Sequence, residues 1–198
     1  MGIRCCLFLV EEIIWNVFYK KTKMKKKFCL ALYYGLAYYL PNSYKWGIIG
    51  SISNSFRVAL CKRIFKKSGN ISVINRCVDF ASGRDLEIGD DSGIGEHVQI
   101  PNNTIIGNYV MLGRYTFVLD RNHEYADVTI PINKQGFKDT KQLIIEDDCW
   151  IGAFTKMTPG RHIKKGTIIA MGTLLCKDFP EYSIVGGNPS KLIKSRMD

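Results

Sequence analysis

Histidine is scarce in this 198-residue chain: His97, His123 and His162 are the only three, and no two lie close together. A zinc site built from three imidazoles would need all of them, so metal-dependent hydration is a weak reading and no metal is expected. Acids are nearly missing from one end. Up to Lys67 there are thirteen Lys and Arg against Glu11 and Glu12 alone, whereas from Ser68 onward fifteen basic residues face sixteen acids. The net charge of +10 is therefore carried by the first third of the chain. A nucleic-acid-binding fold would recruit basic residues from every element, so no nucleic-acid partner is expected. The sequence also lacks any C-x-x-C pair. Its seven cysteines, Cys5, Cys6, Cys29, Cys61, Cys77, Cys149 and Cys176, read as small apolar residues of a reducing, cytoplasmic compartment. The run that starts at Met24 imitates a signal peptide, but it has no small-x-small site ahead of Pro41 and is too short to span a bilayer.

What is present divides near residue 70. Residues 1–67 read as a basic helical segment. Leu7, Val10, Ile14 and Val17 recur at helical spacing, Phe28 to Leu40 is a second apolar helix stopped at Pro41, and Phe56 to Phe65 is a third with Lys62, Arg63, Lys66 and Lys67 at its end. Residues 68–198 carry a different period. Aliphatic residues stand at Ile88, Ile94, Ile100, Ile106, Leu112 and Val118, and again at Ile145, Ile151, Met157, Ile163, Ile169 and Leu175, six apart within each block. Gly89, Gly95, Gly107 and Gly113 follow several of them. A period of six fits neither a helix nor a flat strand. It fits a triangular prism with one hexapeptide per face, in which each aliphatic side chain points to the axis and stacks on the one three repeats later. The fold class is thus mainly β: a parallel β-helix, left-handed in this type of repeat, with an N-terminal helical segment.

Between the two blocks, residues 122–142 break the period, and a long excursion from a strict repeat builds a site more often than not. Here Asn122-His123-Glu124-Tyr125, Asp127, Ile130-Pro131-Ile132 and Gln135-Gly136 resemble the loop of bacterial hexapeptide-repeat sugar O-acetyltransferases, the maltose, galactoside and capsule or colanic-acid acetyltransferases among them. The resemblance runs on through Glu146 to Ala153 and Gly172 to Asp178, and ends in Tyr182 to Lys191. It implies an acetyl-CoA-dependent O-acetyltransferase acting on a sugar or polysaccharide-precursor hydroxyl, a homotrimer, with the cofactor as co-substrate. The attacking hydroxyl must lose its proton, and a neutral imidazole suits that task, so His123 is the candidate general base.

By the same resemblance Asn122, Asp127 and Trp150 face the acceptor. Trp150, Ala153, Met171, Gly172, Cys176 and Lys177 line the cofactor arm, and Lys191 and Lys194 meet its phosphates. Cys176 stands where relatives have threonine, which removes a hydroxyl. His97 and His162 read as ordinary turn or surface residues. The alternatives are an N-acyltransferase of an amino sugar, an antibiotic-inactivating acetyltransferase, and a non-enzymatic scaffold. The basic segment 1–67 is expected either to touch anionic lipid at the inner face of the membrane, or to cap the β-helix or pack between subunits and so bury Phe8, Trp15, Phe18 and Tyr34.

Overall fold

The structure, a computed structural model, describes residues 25–198; the helix expected around Leu7 to Val17 lies outside the described residues. Helix α1 covers residues 25–35 and is followed by a single 3-10 turn, Ala37–Tyr39. Helix α2, Gly47–Ile64, begins nine residues before the expected Phe56. The stretch from Gly47 to Ser55 carries few good helix formers, so propensity hid this half. Packing supplies what propensity lacks: a Cβ on Gly50 would collide with the Asn42 carbonyl, so the helix approaches the preceding loop as only glycine permits.

From Lys67 the chain winds into a left-handed parallel β-helix. Its two-residue strands stack into three sheets. Sheet A joins Lys67–Ser68, Glu87–Ile88, Ile105–Ile106, Ile144–Ile145 and His162–Ile163. Sheet B joins Val73–Ile74, Gly93–Ile94, Met111–Leu112, Trp150–Ile151, Ile168–Ile169 and Ser183–Gly186, and Lys191–Ser195 closes it antiparallel. Sheet C joins Phe117–Val118, Lys156–Met157 and Leu174–Leu175, with bridges reaching back through Gln99 to Asp79.

All twelve aliphatic positions of the six-residue period are buried. Ile88 pairs with Ile106, Ile106 with Ile145 and Ile145 with Ile163, the column that the period predicts. At the corners the coils come so close that Gly95, Gly113 and Gly152 each lie against the backbone of the next coil, where a Cβ would sit about 2.5 Å from an N or O atom. Ile74 and Phe80 form an earlier coil that the period missed, because Lys67 pairs with Glu87 at a separation of twenty residues instead of eighteen. The extra residues bulge at the corner around Gly83.

The helices close the exposed edge of this first coil, where strand N–H and C=O groups would otherwise lack partners. Arg57, fully buried, donates to the carbonyls of Ile74 (2.6 Å), Pro41 (2.9 Å) and Leu40 (3.0 Å). Asn54 accepts the Ile74 N–H, the Tyr33 hydroxyl donates to Val78 O, and half-buried Tyr34 donates to Ala81 O. The described part of the basic segment, residues 25–67, thus caps the β-helix, one of the expectations for it; Phe8, Trp15 and Phe18 lie outside the described residues. Among the described residues no helix is long and apolar enough to cross a membrane.

Candidate active site

The excursion leaves sheet C after Val118 and rejoins sheet A at Ile144, so its root is the corner opposite sheet B. It is a braced hairpin. The Lys138 N–H donates to Asn122 O (2.8 Å) and the Glu124 N–H to Gly136 O (3.1 Å). Gln135 ties the tip together: its Nε2 donates to Asp127 O (2.8 Å) and Ile130 O (2.7 Å), and its Oε1 accepts the Asp127 N–H. The base is shut by the Lys141 N–H donating to Asp120 O (2.9 Å).

On this frame His123 pairs across the hairpin with Phe137, ring centroids 4.3 Å apart, and its side chain is exposed to solvent. The Arg121 guanidinium sits 4.4 Å from the Phe137 ring centre. The imidazole therefore rests against an aromatic face with its edge free for a ligand. Asp127, expected to face the acceptor, has one carboxylate oxygen engaged within the loop. Its Oδ1 accepts from the Thr129 hydroxyl (2.6 Å) and N–H (2.8 Å), which hold the carboxyl below its ordinary pKa and make it a brace of the loop tip.

Trp150 stands on sheet B, half-exposed, between Met111 and Ile168 in register. It borders a groove of about 430 Å³ lined by Tyr44, Gly93, Gly95, Met111 and Arg114. The two glycines make room for protein: a Cβ on Gly93 would meet the Val73 side chain, and one on Gly95 the Arg114 N–H of the next coil. Glu96 lies in the groove wall. Burial would raise its pKa, but the nearby Tyr44 hydroxyl and the hydrogen bond from Asn42 Nδ2 (2.9 Å) outweigh that and hold the carboxyl below its ordinary value. Arg114 Nη1 lies 3.8 Å away. The N-terminal segment is thereby fastened to the β-helix at the groove itself.

Ala153, Met171 and Gly172 come together at the corner between sheets B and C, where the Gly172 N–H donates to Ala153 O (2.9 Å). Gly172 has φ +74° and open space beside its Cα, and Met171 is exposed. Cys176 and Lys177 lie past sheet C, one face away. The Cys176 N–H donates to Ser190 Oγ, whose hydroxyl lies 3.5 Å from the thiol, and hydrogen bonding from Ser190 lowers the thiol pKa. Lys191 and Lys194 lie on the last strand of sheet B, exposed, in the same sheet as Trp150. Within one chain, then, the loop bearing Asn122, His123 and Asp127 is rooted away from the sheet bearing Trp150, Lys191 and Lys194.

Three features escaped the sequence reading. His97, Tyr115 and Phe154 stack in a ladder, 4.8 and 5.0 Å between centroids and within 3° of parallel, on the corner that ends at Gly172. Each stands three residues after an axis-facing aliphatic, a signal that aligning the repeats would have exposed. His162, read as ordinary, lies 2.6 Å from Glu146 Oε1. The contribution of Tyr44 to the groove had no sequence signal at all.

No family profile matches the chain. A chloramphenicol acetyltransferase of Klebsiella aerogenes is 42% identical over 60 residues, 30% of this chain and 29% of that protein. The match thus spans under a third of the curated relative. A hexapeptide-repeat-containing acetyltransferase of Vibrio cholerae O1 biovar eltor, crystallised with acetyl coenzyme A, superimposes with a TM-score of 0.64 at 26% identity, covering 73% of this chain and 78% of that one. A galactoside acetyltransferase in complex with coenzyme A shares the fold, with a TM-score of 0.60 at 19% identity over 88% of this chain and 82% of its own. The chain is thus similar in sequence to an acetyltransferase over 30% of its length, and in fold to a hexapeptide-repeat-containing acetyltransferase over 73% of it.

Proposed function

We propose that this chain transfers an acetyl group from acetyl-CoA directly to a hydroxyl of a sugar or glycan-precursor acceptor, with residues 68–198 as the catalytic body. The observation that carries this reading is His123, presented with a free edge on a braced loop that interrupts an otherwise regular β-helix. The neutral imidazole takes the proton of the acceptor hydroxyl as its oxygen attacks the thioester carbonyl. The carbon–sulfur bond then breaks, and the CoA thiolate leaves and recovers that proton. No acyl-enzyme is needed, and no cysteine lies beside His123 in sequence. Trp150 forms one wall of the acceptor site. Ala153, Met171 and Gly172 run beside the pantetheine arm, and Lys177, Lys191 and Lys194 supply cations for the phosphates.

The separation of the loop from sheet B supports a homotrimer. A site holding both His123 and Trp150 is assembled when the loop of one subunit meets sheet B of its neighbour. The working place is the cytoplasm, with residues 1–67 in peripheral contact with the inner membrane face.

The 60-residue match to a chloramphenicol acetyltransferase favours a second reading, acetylation of an antibiotic hydroxyl. Calorimetric titration with acetyl-CoA, followed by thiol-release assays on a panel of sugars, oligosaccharides and chloramphenicol, separates these. Failure to bind acetyl-CoA overturns the enzyme reading; acetylation of chloramphenicol alone selects the second.

A further inference from the structure

Helix α2 shows apolar residues to solvent. One side, Gly50, Ser53, Arg57, Leu60, Cys61 and Ile64, is buried against the first coil and the 3-10 turn. The other carries Ile48, Ile49 and Ile52, which are 81%, 60% and 65% exposed, and it continues through Trp46 and Tyr44 in the preceding turn, both more than half exposed. Three isoleucines held in water on one turn and a half of helix are costly, and a contiguous exposed patch of this kind marks a surface that meets another apolar phase.

Charge and place decide what that phase is. From Lys25 to Lys67 the chain holds nine Lys and Arg and not one Asp or Glu, and Lys45 lies inside the patch. An apolar face with Trp and Tyr at its border and Lys45 within it has the chemistry of a segment lying in the interface of an anionic bilayer, and the chain from Lys25 to Lys67 brings no acid of its own to oppose the approach. The patch also begins at the candidate site, since Tyr44 lines the groove that Trp150 borders and Asn42 is fastened to Glu96 in its wall.

We propose that the Tyr44–Ile52 face seats on an anionic membrane surface and sets the mouth of the Trp150 groove at the headgroup level, where an acceptor carried on a lipid is presented to it. The seating stands on the surface alone; the role of the groove rests on the acetyltransferase reading. The geometry narrows the membrane contact of the basic segment to one helix end and couples it to the site through Tyr44.

The experiment is flotation of the full chain with phosphatidylglycerol-containing vesicles and with pure phosphatidylcholine vesicles, at low and high salt, beside the I48S/I49S/I52S variant. The wild type should float with anionic vesicles at low salt and lose most of that binding at high salt, while the variant should bind about tenfold less or weaker still, with an unchanged melting temperature and sedimentation coefficient. Absence of wild-type flotation at low salt overturns the proposal, as does a variant that floats like the wild type. A variant that changes its sedimentation also overturns it, because the face is then a contact between copies of this chain. None of these readouts needs turnover, so failure of the seating and failure of the acetyltransferase reading are told apart.

Discussion

His123 and Phe137 face each other across the excursion, their backbones joined by an antiparallel bridge and their rings 4.3 Å apart. The aromatic ring covers one side of the imidazole, whose side chain is otherwise exposed to solvent. Replacing His123 by Ala should lower kcat by about 10²- to 10⁴-fold while acetyl-CoA affinity, measured by titration, stays within about twofold of the wild type. Unchanged turnover removes His123 from the mechanism.

A site built from the loop of one subunit and sheet B of the next has a signature of its own. Subunits carrying His123→Ala and subunits carrying Trp150→Ala should each be impaired when pure, yet regain activity on unfolding and refolding together, since mixed trimers contain some sites with both residues intact. Mixtures no more active than the mean of the two parents would place the site within one chain.

Cys176 differs from the other cysteines described. Burial pushes Cys149 up to about 11 and Cys61 higher still, whereas the bonds from Ser190 lower the thiol pKa of partly exposed Cys176. Peptide mapping after brief alkylation near pH 8 should find the Cys176 peptide labelled well ahead of those of Cys61 and Cys149. Saturating desulfo-CoA, which has no thiol to consume the reagent, should slow that labelling several-fold, and equal rates with and without it would remove Cys176 from the cofactor site.

The Glu96 carboxylate gives a test by pH. Its folded pKa lies below the ordinary value, so the stability it contributes is present above the ordinary glutamate range and is lost as pH falls through the depressed value. Glu96→Gln should therefore cost about 1 kcal/mol in melting experiments at pH 7 and progressively less below about pH 4. A cost that is the same at both ends of this range would show that the charge of Glu96 is not what fastens Asn42 and Tyr44.

Most of the β-helix was legible because its core residues obey one period, and every one of the twelve is buried. The first coil was not, since two inserted residues put Phe80 and Ile88 eight apart and break the count just where the repeat begins. The first half of α2 was hidden for another reason: Gly47, Gly50 and three serines disguise a helix that tertiary contacts hold. In the site, His123 and Trp150 were legible from their motifs. Tyr44 was not, because it reaches the groove only through the chain's return over sheet B, and no local pattern encodes that return.

Ile105 meets Ile144 in the register that joins Glu87 to Ile105, although the intervening chain has grown by more than twenty residues. The solenoid does not register what leaves it at that corner. The scaffold and the chemistry are thus separate inheritances: a different hairpin spliced between Val118 and Ile144 would meet the same two strand ends and the same unbroken column of isoleucines. New acceptors can be explored on this frame one loop at a time, with the stability of the prism left out of the contest.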